Sequence, residues 1–140
     1  MEDPRVEEAV TALRAAGHRI TAARRAVLRA IAESDGDPTA EEILERIVAI
    51  HPDVHIATVY RNLEALRDLG LVHHSHLRHG PAVYRLAGDE KEQLVCERCG
   101  SVTEVPGAAL DKSRQDLRRR YGFRLGPQHF AITGRCRNCD

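Results

Sequence analysis

The residues best suited to chemistry are four cysteines, and all of them fall in two C-x-x-C pairs, Cys96-Glu97-Arg98-Cys99 and Cys136-Arg137-Asn138-Cys139. Each pair can form a tight turn that aims two sulfurs at one point. Two such turns complete the tetrahedron of a four-thiolate zinc site. Arg98, Arg135 and Arg137 lie beside the pairs and would partly offset the charge of four thiolates. Two disulfides or a redox dithiol would use the same residues. Disulfides are disfavoured in a reducing cytoplasm, and a redox dithiol needs one pair in a thioredoxin-like pattern that the chain does not show. Four thiolates leave no open coordination position, which points to structural zinc that staples the C-terminal third.

Histidine is the second informative residue type. Of eight, His73, His74, His76 and His79 crowd into one short segment, and His129 stands far downstream. His74-Ser75-His76 is an i, i+2 pair, so on a strand both rings point to one face. His73 would point to the other face and His79 falls in a turn, which makes bystanders of both. His18, His51 and His55 read as surface or capping residues. The cluster reads either as metal ligands or as a surface facing phosphate or solvent. No nucleophile and no acid–base pair accompanies it, so an enzyme is not expected.

Composition narrows the classes further. Hydrophobic residues make up 42% and charged residues 30%, which suits a globular chain and not a disordered one. No apolar run approaches the roughly 18 residues of a membrane span. The start, Met1-Glu2-Asp3-Pro4, carries no hydrophobic leader, so a cytoplasmic location is expected. The 21 basic and 21 acidic residues cancel, which excludes the simplest nucleic-acid signature, a strongly basic chain.

The elements that must position these residues follow from periodicity. Val6, Val10 and Leu13 predict a first helix, stopped by Gly17. Thr21 can cap a second helix that turns Val27, Leu28 and Ile31 inward. Thr39 and Glu42 form a capping box opening a third, with Ile43, Leu44, Ile47 and Ile50 inward and Pro52 ending it. A fourth runs from about Ile56 to Leu69 on a stripe of Val59, Leu63, Leu66 and Leu69. Leu71 to Leu77 and Ala82 to Leu86 then read as a hairpin, completing a winged helix-turn-helix pattern. Gly88 to Gln93 reads as a linker. Beyond it come short strands at Leu94-Val95 and Val102 to Val105, a helix from about Ala108 to Arg120, and strands near Gly122 to Arg124 and His129 to Thr133. The expected class is α+β: a winged-helix domain over 1–87, a hinge linker over 88–93 and a small α/β domain over 94–140.

Removing the buried stripe from the fourth helix leaves Ala57, Thr58, Tyr60, Arg61, Asn62 and Glu64 on its outer face. The small Ala57 and Thr58 allow close approach to a DNA groove. Tyr60 can touch thymine methyls or phosphate, and Arg61 can pair with phosphate or guanine. Arg19, Arg24, Arg25 and Arg29 flank the second helix and could clamp the DNA backbone. Against this, residues 1–87 hold 11 Arg and 13 Asp or Glu, a net acidic balance, and the same face can be merely solvated.

Ala57-Thr58-Val59-Tyr60-Arg61-Asn62-Leu63 with Leu69-Gly70-Leu71-Val72 closely resembles the recognition-helix signature of the ferric uptake regulator family. Arg19-Ile20-Thr21 with Arg24 resembles the start of that family's second helix, and the segments around the two cysteine pairs resemble its two zinc knuckles. The resemblance covers nearly the whole chain in order. It implies a dimeric, metal-responsive repressor that binds an inverted-repeat operator through the winged helix. The C-terminal domain would dimerise and hold structural zinc on Cys96, Cys99, Cys136 and Cys139. By position, Arg19 would reach the minor groove, Tyr60 would read bases beside Thr58, and Arg61 would hold phosphate.

The family usually places a sensory metal at the hinge, and there this chain departs from the pattern. The His-rich stretch before the first knuckle is replaced by Asp89-Glu90-Lys91-Glu92-Gln93. Asp37 and Arg85 stand at two further positions that usually supply ligands. The histidines of the wing, with His129, are most similar to the nickel-responsive branch, where the His-x-His pair and the downstream His form the nickel site. The resemblance thus implies a sensory site of His74, His76 and His129, and three imidazoles suit Ni²⁺, Zn²⁺ or Cu²⁺ better than Mg²⁺ or Ca²⁺. Such a metal would link wing and dimerisation domain. A regulator of the same fold answering to zinc, iron or peroxide, or a metal-independent DNA-binding protein, are the alternatives.

Overall fold

Three of the first four helices begin at a side chain that accepts one of their unpaired N–H groups. Asp3 accepts from the Arg5 N–H at the head of α1 (Pro4–Ala15), and Pro4 sits where its missing N–H costs nothing. Thr21 accepts from the Arg24 N–H to start α2 (Ala22–Ala32). The predicted capping box opens α3 (Ala40–Val48): the Glu42 N–H donates to Thr39 Oγ1 at 3.2 Å, and the Thr39 N–H donates to Glu42 Oε2 at 3.1 Å. The fourth helix, α4 (Ile56–Asp68), begins at His55 without a side-chain cap.

The computed structural model describes residues 1–76, 80–88, 91–125 and 131–140. They divide into two units, Met1–His74 with Pro81–Asp89 and Ser75–Gly80 with Glu90–Asp140. In the first, the apolar stripes of all four helices meet in one core. Val6, Val10, Leu13, Val27, Leu28, Ile31, Ile43, Ile47, Val59, Leu63 and Leu66 are all buried there. Strands β1 (Val72–His76) and β2 (Ala82–Leu86) pair as a wing. The loop before α3 docks on β2, with the Tyr84 N–H donating to the Pro38 carbonyl at 2.9 Å and a bridge between Thr39 and Val83.

The second unit holds a three-stranded sheet in the order β4-β3-β5. Strand β3 (Lys91–Cys96) is central, antiparallel to β4 (Val102–Pro106) and parallel to β5 (Ile132–Gly134). A 3-10 turn over Gly107–Leu110 leads into α5 (Asp111–Tyr121), which ends on Gly122 in the left-handed region. A side chain at that φ of +63° would be strained, so glycine suits the helix stop. Among the described residues of this unit only Glu92, Val95, Cys96 and Gly107 are buried, and α5 buries none. Leu94, Val102, Tyr121 and Phe123 stay exposed.

The architecture is the expected α+β arrangement, a helical winged unit followed by a small α/β unit, and four local readings are corrected. Helix α3 stops at Val48, before Pro52, so Ile50 lies past the last turn and is 77% exposed instead of inward. Asn62 is buried, at 7% exposure, because its amide finds partners inside the fold. Gly122 to Arg124 form no strand, since Gly122 caps α5. The polar run read as a linker gives Lys91 to Gln93 to β3. Among the described residues no helix is long and apolar enough to cross a membrane.

Candidate metal centre and nucleic-acid interface

The cysteine knuckles are built by backbone turns at the end of β3 and after β5. Cys96 and Ser101 close the first, with the Cys96 N–H donating to the Ser101 carbonyl and the Gly100 N–H to the Cys96 carbonyl, each at 2.9 Å. In the second, the N–H groups of Cys139 and Asp140 both donate to the Cys136 carbonyl. The parallel pairing of β3 with β5 sets Cys96 opposite Gly134, and the Glu97 N–H donates to the Gly134 carbonyl at 2.8 Å. The four sulfurs converge, all lying within 4.8 Å of one another. Cys99 Sγ and Cys136 Sγ are 3.7 Å apart. A Zn–S bond of about 2.3 Å places tetrahedral sulfurs roughly 3.8 Å apart, so the donor set fits zinc in type, number and spacing.

Electrostatics within the cluster is uneven. Hydrogen bonds from backbone N–H groups, that of Cys99 foremost, bring the Cys96 thiol down to about 6. The Cys136 N–H lies 3.4 Å from Cys96 Sγ. The Ser101 hydroxyl, 3.2 Å from Cys99 Sγ, lowers that thiol also. Cys139 is pushed up to about 12, first by its hydrogen bond with Cys136 and then by desolvation. Sulfurs this close resist carrying four negative charges together, and a divalent cation removes that resistance.

The wing carries His74 and His76 two residues apart on β1, both half-buried. His76 Nδ1 lies 3.1 Å from the Gly80 carbonyl. A carbonyl only accepts, so in this contact Nδ1–H is the donor. The His76 carbonyl in turn accepts from the Ala131 N–H at 3.3 Å. His74 packs beside Tyr84, ring centroids 6.5 Å apart. His79 and His129 lie outside the described residues.

The positions that the resemblance assigns to a hinge metal hold an ion pair instead. Arg85 Nε donates to Asp37 Oδ1 at 3.1 Å and its terminal nitrogen to Oδ2 at 2.5 Å, with the two side chains only 12% and 13% exposed. Lys91 pairs with Glu104 at 2.9 Å. A carboxylate engaged on both oxygens by a guanidinium does not fit a cation site, and this donor set does not fit the hinge metal.

Of the residues expected to meet DNA, Arg19 is exposed between α1 and α2 and Thr58 lies half-buried in the first turn of α4. Tyr60 is 46% exposed, and its hydroxyl donates to Glu41 Oε1 at 3.2 Å. Partial desolvation and then the Glu41 carboxylate push the Tyr60 phenol up. Arg61 is exposed, with a nitrogen 3.5 Å from Thr58 Oγ1. The remaining arginines of α2 are turned to the protein. Arg25 bonds Glu2 and Glu7, Arg29 bonds Glu2, and Arg24 reaches Asn62 and the Arg19 carbonyl. Sequence reasoning missed Glu41, Asn62 and the inward role of Arg24. Only Asn62 carried a signal, a polar residue one turn after Thr58 and directly beside Leu63 of the buried stripe.

Residues 15–132 match the model of the ferric uptake regulator family. The peroxide-responsive repressor PerR of Staphylococcus epidermidis is 31% identical over 139 residues, covering 98% of this chain and 91% of that protein. The ferric uptake regulator of Pseudomonas aeruginosa, solved with manganese, superposes with a TM-score of 0.73 at 29% identity, covering 91% of this chain and 96% of that one. A zinc uptake regulator solved with zinc and DNA gives a TM-score of 0.62 at 25% identity, covering 95% and 91%. The chain belongs to the ferric uptake regulator family, whose members are DNA-binding transcriptional regulators and not enzymes.

Proposed function

We propose that the chain is a metal-responsive transcriptional repressor that binds an inverted-repeat operator as a homodimer in the cytoplasm. Cys96, Cys99, Cys136 and Cys139 hold structural zinc. His74, His76 and His129 hold the sensory metal, nickel. Arg19, Thr58, Tyr60 and Arg61 meet the DNA. The exposed Leu94, Val102, Tyr121 and Phe123 of a unit with few buried residues among those described support dimerisation through that unit.

One observation carries the sensory assignment. His74 and His76 lie two residues apart on one strand, and the His76 carbonyl of that strand accepts from the Ala131 N–H, two residues beyond His129 in the sequence. A divalent transition metal supplies a Lewis acid that these imidazoles can share. His74 and His76 come from the wing and His129 from the C-terminal part, so shared ligation restricts their relative motion. Metal then favours the DNA-binding form in proportion to its tighter binding there.

The test uses an operator duplex selected by the wild-type dimer from a random-sequence pool, with zinc retained in the cysteine site. Nickel is expected to tighten operator binding more than iron, manganese or added zinc, and His74→Ala to remove the response. A triple His74, His76 and His129 to Ala variant that still responds normally would sink the assignment. The identity to peroxide-responsive repressors favours a second reading, iron loading with release by peroxide. Loss of operator binding on adding peroxide to iron-loaded protein, with no nickel response, would establish it instead.

A further inference from the structure

The DNA-binding reading leaves unused a polar network that converges on buried Asn62. Asn62 lies on α4 among the apolar side chains of the helical core, and both ends of its amide are satisfied. Its Nδ2 donates to the Thr58 carbonyl at 2.9 Å, one turn back towards Tyr60 and Arg61. Its Oδ1 accepts from Arg24 Nε at 3.0 Å. The same guanidinium donates through a terminal nitrogen to the Arg19 carbonyl at 3.1 Å. The backbone N–H of Arg24 is itself held by Thr21, the cap of α2. One residue therefore ties three things together: the cap of α2, the backbone of Arg19, and the first half of α4.

We propose that Arg24 is a positioning residue that, through Asn62, fixes the backbone of Arg19 relative to the recognition helix, so that the Arg19 and α4 contacts with DNA act as one unit. This rests on the reading that Arg19 and α4 both meet DNA. A guanidinium is planar, and its donors diverge at fixed angles, so it can hold two acceptors in a set relation that a single amine cannot. Arg19 is exposed on a turn, where a long side chain loses much of its value as a contact if its backbone wanders. Arg24 removes that freedom without touching the nucleic acid. The arrangement also explains why a polar residue occupies a core position of α4: a leucine there would fill the space and release Arg19.

The test is a double-mutant cycle on the full-length, zinc-loaded, nickel-loaded dimer with the selected operator duplex, read as Kd and as the slope of log K against log salt. Arg19→Ala is expected to lower the slope by about one phosphate-equivalent. Asn62→Ala removes no charge, yet is expected to weaken binding about tenfold and to lower the slope by a similar amount. In the Asn62→Ala background, Arg19→Ala is expected to add less than about a third of its wild-type loss. Full additivity, with the salt slope of Asn62→Ala unchanged, would overturn the proposal and reduce the network to a packing element. If Asn62→Ala unfolds, Arg24→Lys serves in its place, since it keeps the charge but lacks the rigid planar fork of donors. Lysine restoring wild-type affinity and slope would mean that Arg24 acts as a direct phosphate contact, which also overturns it. Failure of wild-type protein to enrich any duplex, or an Arg19→Ala variant with unaltered affinity, would instead refute the underlying DNA-contact reading.

Discussion

Breaking the Asp37–Arg85 pair should cost the helical unit about 2 kcal/mol. Removing one partner of a fully buried pair costs about 3–5 kcal/mol, because the survivor is left charged and unpaired, while exposed pairs are worth less than about 1. Here both side chains are about one-eighth exposed and joined by two parallel bonds, which places the pair about midway between these limits. The loop is independently held by the Tyr84 to Pro38 hydrogen bond and the Thr39–Val83 bridge, so substitution should act locally and not unravel the wing. The cycle of Asp37→Ala, Arg85→Ala and the double variant should be followed by urea unfolding of zinc-loaded protein, using far-UV circular dichroism. Each single variant is expected to lose about 2 kcal/mol with unchanged m value, the double variant less than the sum, and the coupling to reach about 1–2 kcal/mol. Because the pair is largely shielded, high salt should diminish the coupling only modestly. A coupling below about 0.5 kcal/mol would show that the two charges do not depend on each other, and the account of this site would be wrong.

Other outcomes follow from the same structure. In metal-stripped protein, iodoacetamide near neutral pH should modify exposed Cys99 before Cys139, whose thiol is held protonated up to about 12, and zinc should protect both; mass mapping of the adducts decides it. Zinc affinity should fall as pH is lowered throughout the range below about 12, because Cys139 must give up its proton to bind, and should fall more steeply below about 6, where Cys96 regains its proton as well; a pH-independent affinity would contradict the assignment. Thr39→Ala should cost roughly 1 kcal/mol by removing half of the capping box, read by thermal melting. Phe123→Glu, at an exposed site after α5, should shift sedimentation from dimer to monomer while the N-terminal helices keep their circular dichroism signal.

The parts legible in the sequence were those set by short-range rules. Thr21, Thr39 and Glu42 announce helix starts because capping depends on residues three apart, and the stripes of Val59, Leu63 and Leu66 announce a buried face because helical geometry is regular. The two C-x-x-C pairs disclosed the cysteine cluster for the same reason: each knuckle is local, and only their meeting required β3 to pair with β5. What escaped depends on long-range partners. Asn62 reads as an outward polar residue until Arg24, on another helix, is seen to satisfy it. Arg24, Arg25 and Arg29 read as cations for DNA until Asn62, Glu2 and Glu7 are found beside them. Ile50 reads as inward only if the helical period is carried past Val48, where α3 ends.

The small number of buried residues among those described in the C-terminal unit has a consequence for regulation. A sheet and helix that bury almost nothing alone draw their stability from the partner in the proposed dimer, so dilution acts on this protein as a denaturant does. Copy number would then set two things at once: how many operators are filled, and how long each molecule survives proteolysis. A cell that lowers synthesis of such a regulator loses it more steeply than in proportion.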